Sequence, residues 1–202
     1  MSYELVAATA EEKNSTDDKL NECFEKIRDL NRKNDLATSP DFRKSALNLH
    51  LKESFKLLKA LAAKNSEKTE WFNIKVIIST KEMNKETNWK FKDIERPAAT
   101  WLDLILQSIA ETHRQMNYVT RKLAHQPLEI FFKEVGEKNL SRVIVDDAVK
   151  KAAFETDNIS VINFLREKLP AHFGNVYMSI EDYEKIHKPF GKESEIRILY
   201  NL

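Results

Sequence analysis

The sequence predicts a mostly helical α+β fold in a single domain, with a small mixed or antiparallel sheet, and an all-α fold is the alternative. Three observations support this prediction. Apolar residues recur at helical spacing over most of the chain, whereas a few short segments alternate between apolar and polar residues as strands do. The 202 residues include only three glycines and five prolines, which favours helices joined by short connections.

The expected organisation is a short tail followed by one globular domain. Residues 1–13 carry no periodic pattern and are expected to form a loose N-terminal tail. Residues 14–202 show no internal repeat and no long linker, so they are expected to share one core. Four parts are predicted in order: a helical hairpin (15–64), a β-hairpin (70–94), a helical bundle (98–169) and a β-α-β end (173–201).

The helical hairpin is predicted from capping residues and apolar stripes. Ser15, Thr16 and Asp17 offer N-caps for its first helix. Ser39 and Pro40 offer a cap and a first-turn proline for the second. One face of each helix is then apolar, through Leu20, Cys23, Phe24, Ile27 and Leu30 in the first and Leu47, Leu51, Phe55, Leu58 and Leu61 in the second.

The β-hairpin is predicted from a change of period. Apolar residues alternate with others over 71–79, and a second alternating strand is expected at 88–92. A buried helix over 70–80 is the alternative. If the alternating residues Phe72, Ile74, Val76 and Ile78 face the core, the outward face carries Trp71, Asn73, Lys75 and Ile77, joined by Lys90 and Lys92.

Trp71, Lys75 and Lys90 are therefore candidate partner-binding residues. Tryptophan is over-represented at the energetic centres of protein interfaces, and an aromatic residue among lysines can also stack nucleobases. The alternative is that flanking helices cover Trp71 and Ile77.

One long helix is expected over about 98–124, opened by Pro97 and ended by Pro127. Its core stripe comprises Leu102, Ile105, Ile109, Met116 and Leu123. Shorter helices are expected at 128–135, 142–155 and 158–169, the last one terminated by Pro170, followed by strands at 175–180 and 195–200 around a short helix at 181–187.

Arg114, Tyr118, Arg121 and His125 fall on one line of this long helix, at spacings of four, three and four. At about 100° per residue the line lies opposite the core stripe. We expect it to be the solvated face of the helix and a possible partner-binding surface. Replacing His125 by alanine is then expected to remove no buried contact.

An arginine shortly before a histidine on a helix is similar to the pair with which the RNA-cleaving HEPN domains attack a phosphodiester. Those domains place four to six residues between the two, whereas Arg121 and His125 have three between them. What the resemblance implies is kept as an alternative function, a small RNA-directed nuclease or toxin that uses this pair.

No catalytic residue, metal site or cofactor is predicted. Glycine-rich phosphate loops cannot be built from three scattered glycines, and one cysteine with five dispersed histidines gives no familiar zinc spacing. Adjacent Asp146 and Asp147 are expected to be a solvated helix start. Cys23, the single cysteine, is expected to be a buried apolar residue.

The expected function is a non-enzymatic protein–protein interaction module, such as an adaptor, a chaperone or a regulatory subunit of a larger complex. A formal net charge of +1 with interspersed signs makes nucleic acid an unfavoured partner. No apolar run approaches the length of a membrane span, and no secretory signal pattern is recognised, so a cytoplasmic location is expected.

Overall fold

The computed structural model describes residues 10–32, 39–65, 68–83, 91–116 and 118–174. This part of the chain contains eight α-helices and two small antiparallel two-stranded sheets, which confirms the mostly helical α+β class. The predicted strands at 175–180 and 195–200, the helix between them and Lys90 lie outside the described residues.

Helices α1 (Ala10–Arg32) and α2 (Pro40–Lys64) pack against each other. Helix α1 is already formed at Ala10, so the predicted cap at Ser15–Asp17 and the predicted tail over 10–13 are wrong. Helix α2 begins as predicted, because the Ser39 hydroxyl accepts a hydrogen bond from the Phe42 backbone N–H at 3.1 Å and Pro40 occupies the first turn.

A two-stranded ribbon follows the helical hairpin. Strand β1 (Lys75–Val76) pairs with β4 (Ala99–Thr100), and β2 (Ser79–Met83) pairs with β3 (Phe91–Glu95). The Arg96 N–H donates to the Ile78 carbonyl oxygen at 2.8 Å and joins the two ladders. Trp71–Asn73 is a 3₁₀ turn, so the predicted strand over 71–79 begins too early. The second strand overlaps the predicted 88–92 at residues 91 and 92 and continues to Glu95, and residues 88–90 lie outside the described residues.

The prediction of a single long helix over 98–124 is wrong. Helix α3 (Trp101–Thr112) passes into a 3₁₀ turn (His113–Gln115), and α4 (Tyr118–Lys122) and α5 (Gln126–Val135) are separate helices. Side chains bond two of the last carbonyl oxygens of α3, since Thr112 Oγ1 donates to that of Ile109 at 3.4 Å and His113 Nδ1 lies 2.6 Å from that of Ala110.

Three helices complete the described fold. A 3₁₀ segment (Glu137–Arg142) stands where the predicted helix over 142–155 was to begin, and α6 starts only at Asp147 (Asp147–Glu155). Helix α7 (Ile159–Lys168) is capped by Asn158, whose Oδ1 accepts from the Val161 N–H at 3.2 Å, and α8 (Pro170–Phe173) starts at the predicted terminating proline.

Aromatic rings hold the core together. Trp71 packs against Phe55 and Phe131 at centroid distances of 5.1 and 5.8 Å, and Trp101 meets the edge of Phe24 at 6.3 Å. Cys23 is buried as predicted, and burial raises the pKa of its thiol to about 11. None of the helices in the described ranges is long and apolar enough to cross a bilayer.

A buried polar network also crosses the core. Arg43 of α2 is 4% exposed, and its guanidinium lies among carbonyl and amide oxygens. Its Nη2 donates to Asn31 Oδ1 at 3.1 Å, and its Nη1 donates to Gln126 Oε1. Asn31 in turn donates to Ser108 Oγ at 2.8 Å. Helices α1, α2, α3 and α5 thus share one set of polar contacts.

Candidate interaction surface

The outward side of β1 and the segment before α6 form one continuous surface. The Asn73 side chain joins them, since its Nδ2 donates to the Arg142 carbonyl oxygen at 2.8 Å and its Oδ1 accepts from the Ile144 N–H at 3.0 Å. The Asn73 amide thus bonds one backbone carbonyl oxygen and one backbone N–H, the two groups that a neighbouring strand would bond. The segment over 142–146 is therefore fixed beside β1.

Ion pairs lie on both sides of this junction. Lys75 Nζ is 3.4 Å from Asp146 Oδ2, and the Arg142 guanidinium pairs with Glu70. Asp146 is also the N-cap of α6, where its Oδ1 accepts from the Val149 N–H at 3.0 Å. Partial burial opposes its ionisation, but the hydrogen bonds from Val149 and Lys75 outweigh burial and lower the pKa of Asp146.

Two isoleucines on this surface are exposed to solvent. Ile77 and Ile144 are each 53% exposed. Their neighbours in the chain, Val76, Ile78 and Val143, are buried, so exposed and buried residues alternate at both places. We call Lys75, Ile77, Ile144 and Asp146 the ribbon surface.

Only part of the predicted outward face of the β-hairpin is exposed in the structure. Lys75 and Ile77 are exposed on it. Trp71 is half-buried in the aromatic core, and the Lys59 ammonium covers its ring at 5.4 Å from the centroid. Flanking helices therefore cover Trp71 but leave Ile77 open, and Lys90 lies outside the described residues.

The predicted line of Arg114, Tyr118, Arg121 and His125 is not one helical face. Arg114 is exposed in the 3₁₀ turn after α3, Tyr118 and Arg121 belong to α4, and His125 precedes α5. The Arg121 guanidinium turns back toward the His113 carbonyl oxygen, at 3.5 Å from Nη2. Breaks in the helix thus separate residues that the spacing alone would align.

His125 is partly buried, contrary to the expectation of a solvated face for that line. Its ring lies 5.7 Å from the Phe164 ring at an interplanar angle of 30°, and Nε2 is 3.1 Å from Glu129 Oε1. Glu129 also accepts from Lys44 Nζ at 2.7 Å. Burial opposes ionisation of Glu129, yet Lys44 and His125 together lower its pKa. His125 therefore connects α5 to α7 and, through Glu129, to α2.

One buried carboxyl near the ribbon surface was not singled out by the sequence. Asp103 lies in the first turn of α3 and is almost fully buried. Its backbone N–H is capped by Thr100 Oγ1 at 3.3 Å, and its Oδ1 accepts from Gln107 Nε2 at 3.0 Å. Burial raises the pKa of Asp103, and the negative charge of Asp146 raises it further, against the opposing effects of Gln107 and Lys75.

The outward face of α2 was also missed. The sequence analysis identified only the apolar stripe of this helix, yet Phe42 and Leu49 outside that stripe are each 65% exposed. Both are large apolar residues on a helix whose other side is buried. Their only signal in the sequence is that they fall outside the apolar stripe, which does not distinguish a binding residue from an ordinary exposed one.

Within the described ranges, no three His, Cys, Asp or Glu side chains are grouped so that they could hold a metal ion. Comparisons of the chain with protein-family models, with curated proteins and with solved structures find no match.

Proposed function

We propose that the protein is a non-enzymatic protein–protein interaction module, an adaptor, chaperone or regulatory subunit, that binds a folded protein through the ribbon surface. The observation that carries this proposal is the exposure of Ile77 and Ile144, each of which lies two residues along the chain from a member of the Lys75–Asp146 ion pair. Exposed apolar side chains among charged residues resemble the centre and rim of protein interfaces.

The charges of the surface favour a protein over a nucleic acid. Lys75 is paired with Asp146, and Arg142 is paired with Glu70, so each of these cations has a carboxylate beside it. Nucleic-acid affinity comes largely from cations that neutralise phosphates. A surface whose positive charges are already balanced offers apolar area and hydrogen-bonding groups instead.

The surface is also held in place before a partner arrives. Asn73 fixes the segment over 142–146 by two hydrogen bonds, and the Asp146 cap fixes its entry into α6. Binding therefore requires little ordering of the backbone, which reduces the entropic cost of association. The matching partner presents an apolar pocket or groove with polar groups at its edge.

The test has two stages. Tagged protein is isolated from its own cells, and each copurifying chain is purified and titrated directly by calorimetry. Ile77→Asp and Ile144→Asp should each weaken the binary affinity by about tenfold or more, as for residues at the centre of an interface. Ile94→Asp is the matched control, because it places the same charge at an exposed apolar position on β3 that is not part of the ribbon surface. Unchanged affinity for both ribbon variants would refute the proposal.

The alternative function, RNA cleavage by Arg121 and His125, is tested with the same protein preparations. Purified wild-type protein is incubated with mixed RNA beside a folded His125→Ala variant. We expect intact RNA in both samples. Cleavage by the wild type that the variant loses, at unchanged far-UV circular dichroism, would favour the nuclease, since removing a general acid or base typically reduces rate by about 10²–10⁴-fold.

A further inference from the structure

The outward face of α2 carries a pattern that is complementary to itself. Phe42 and Leu49 are seven residues apart, which is about 700° of helix and within about 20° of two full turns. They therefore lie on the same line, and each is 65% exposed. Between them lie only small side chains, the exposed Ser45 and the half-buried Ala46. Small residues at this point allow another helix to approach closely.

We propose that this face binds a second copy of the chain, with the two α2 helices antiparallel and a two-fold axis at the level of Ser45 and Ala46. That axis places Phe42 against Leu49 of the partner subunit, and Leu49 against the partner's Phe42. An isologous contact of this kind requires that one patch match itself. Both large apolar side chains are then covered, and the small residues occupy the crossing point.

The charges at the edge of this patch match in the same arrangement. Asp41 and Lys52 are both exposed, and they are eleven residues apart, about 20° past three full turns. They therefore lie on the same flank of α2. Antiparallel pairing about Ser45 and Ala46 brings Asp41 level with the partner's Lys52 to within about two residues. The two-fold axis repeats this opposite-charge pair on the second copy.

The size of the patch determines the affinity that we expect for the dimer. Two crossing helices cover less than the roughly 800 Å² per partner of a standard stable interface. A formal net charge of +1 gives little repulsion between copies. The protein should therefore form a reversible dimer whose fraction depends on concentration. The proposal is independent of the ribbon surface, which lies on other elements.

A cysteine introduced at the axis tests the geometry. In the dimer, Ser45→Cys brings two thiols together, whereas Lys56→Cys places them about 30 Å apart at 1.5 Å per residue along each helix, beyond the reach of a disulfide. The buried Cys23 is common to both proteins. Mild oxidation should link the Ser45→Cys chains into dimers and leave the Lys56→Cys chains monomeric. Equal yields from the two variants, or no linkage of Ser45→Cys, would overturn the proposal.

Sedimentation equilibrium with charge reversal tests the pairing. Phe42→Asp should raise the dimer dissociation constant by about tenfold or more, and Ile77→Asp, on the ribbon surface, should leave it unchanged. Asp41→Lys and Lys52→Asp should each weaken the dimer several-fold, and the double variant should restore it because the pair is re-formed with reversed signs. A wild-type monomer at about 1 mM, or association that Phe42→Asp leaves intact, would refute the two-fold contact.

Discussion

The Arg43 guanidinium closes the end of α4, since its Nη1 donates a hydrogen bond to the Leu123 carbonyl oxygen at 3.1 Å, eighty positions along the chain. Its Nε donates to the Leu30 carbonyl oxygen at 3.4 Å near the end of α1. A cation at the C-terminal ends of two helices meets the negative ends of both dipoles. Burial lowers the pKa of Arg43 to about 10, which still leaves it charged at neutral pH.

Replacing Arg43 by methionine should therefore destabilise the fold strongly. The change removes the side-chain donor to the carbonyl oxygens of Leu30 and Leu123 and to the amide oxygens of the buried Asn31 and Gln126. We expect a loss of about 2–4 kcal/mol in the free energy of unfolding, measured by urea denaturation.

Arg166→Met at an exposed position of α7 is the control for Arg43→Met, and it should change stability by no more than about 0.5 kcal/mol. A similarly small effect of Arg43→Met would show that the network contributes little.

Replacing His125 by alanine should lower stability by about 1 kcal/mol, because it removes the contact with Phe164 and the pairing with Glu129. His125→Phe keeps an aromatic ring against Phe164 and should lose less. Thermal and urea unfolding compare the two variants, with exposed Lys133→Ala as the control. Equal stability of wild type and His125→Ala would show that the ring contact is energetically neutral.

The thiol of Cys23 should react slowly in the native protein. It is buried and its pKa is raised to about 11, so both access and the thiolate fraction at neutral pH are low. Labelling with a chromogenic disulfide reagent should proceed only as fast as the protein opens, and should become rapid in urea. Rapid native labelling at neutral pH would contradict the packing of α1 against α2.

Local signals predicted the start of α2 and both ends of α7, which are fixed by local contacts. Ser39 caps α2 through its own hydroxyl, Asn158 caps α7 through its own amide, and Pro170 ends the preceding helix. Each of these contacts spans only a few residues. A sequence pattern contains both partners, and the prediction follows from capping chemistry alone.

Distant donors explain why the long helix was not predicted correctly. The Arg121 carbonyl oxygen accepts from Asn158 Nδ2 at 2.9 Å, and the Leu123 carbonyl oxygen accepts from Arg43. In a continuous helix both oxygens would accept mainly from the backbone four residues later. Each oxygen accepts instead from a backbone N–H only three residues later, that of Ala124 for Arg121 and that of Gln126 for Leu123. Each also accepts from a side chain 37 or 80 positions away, which no local period reveals.

The ribbon surface also has one part that local pattern predicts and one part that depends on distant contacts. Alternation over the β-hairpin identified Lys75 and Ile77 as outward-facing, and both are exposed. Ile144 and Asp146 join them only through contacts with Asn73 and Lys75, 71 positions away. The other half of the ribbon surface therefore could not be read from the pattern of either segment.

The contribution of the Asp146 N-cap to stability should be separable from that of its ion pair with Lys75. Asp146→Ala removes the acceptor for the Val149 N–H and should cost about 1 kcal/mol, the usual effect of losing an N-cap. Asp146→Asn keeps a capping oxygen and loses only the partly exposed pair with Lys75, so it should cost no more than about 0.5 kcal/mol. Urea unfolding compares both with Asp147→Ala, and equal losses from the two Asp146 variants would assign the effect to charge rather than to capping.

Asp103 should make the protein less stable as pH rises. Burial, with the charge of Asp146, raises the pKa of this carboxyl in the folded state above its unfolded value of about 3.9. The folded state then holds the proton more tightly, so this contribution is complete below the unfolded pKa and is lost as pH rises through the folded pKa. Asp146 and Glu129 have lowered pKa values and act in the opposite direction.

The contribution of Asp103 is therefore isolated as a difference between wild type and Asp103→Asn, which retains an oxygen for Gln107 but cannot ionise. Urea unfolding between about pH 3.5 and 8 should show the wild type losing stability relative to the variant as pH rises from the unfolded pKa of about 4. Asp18→Asn, at an exposed position of α1, is the control for the substitution itself. A difference that is flat with pH, or that grows in favour of the wild type, would show that the Asp103 carboxylate is stabilised where it lies, by Lys75, Gln107 and the start of α3.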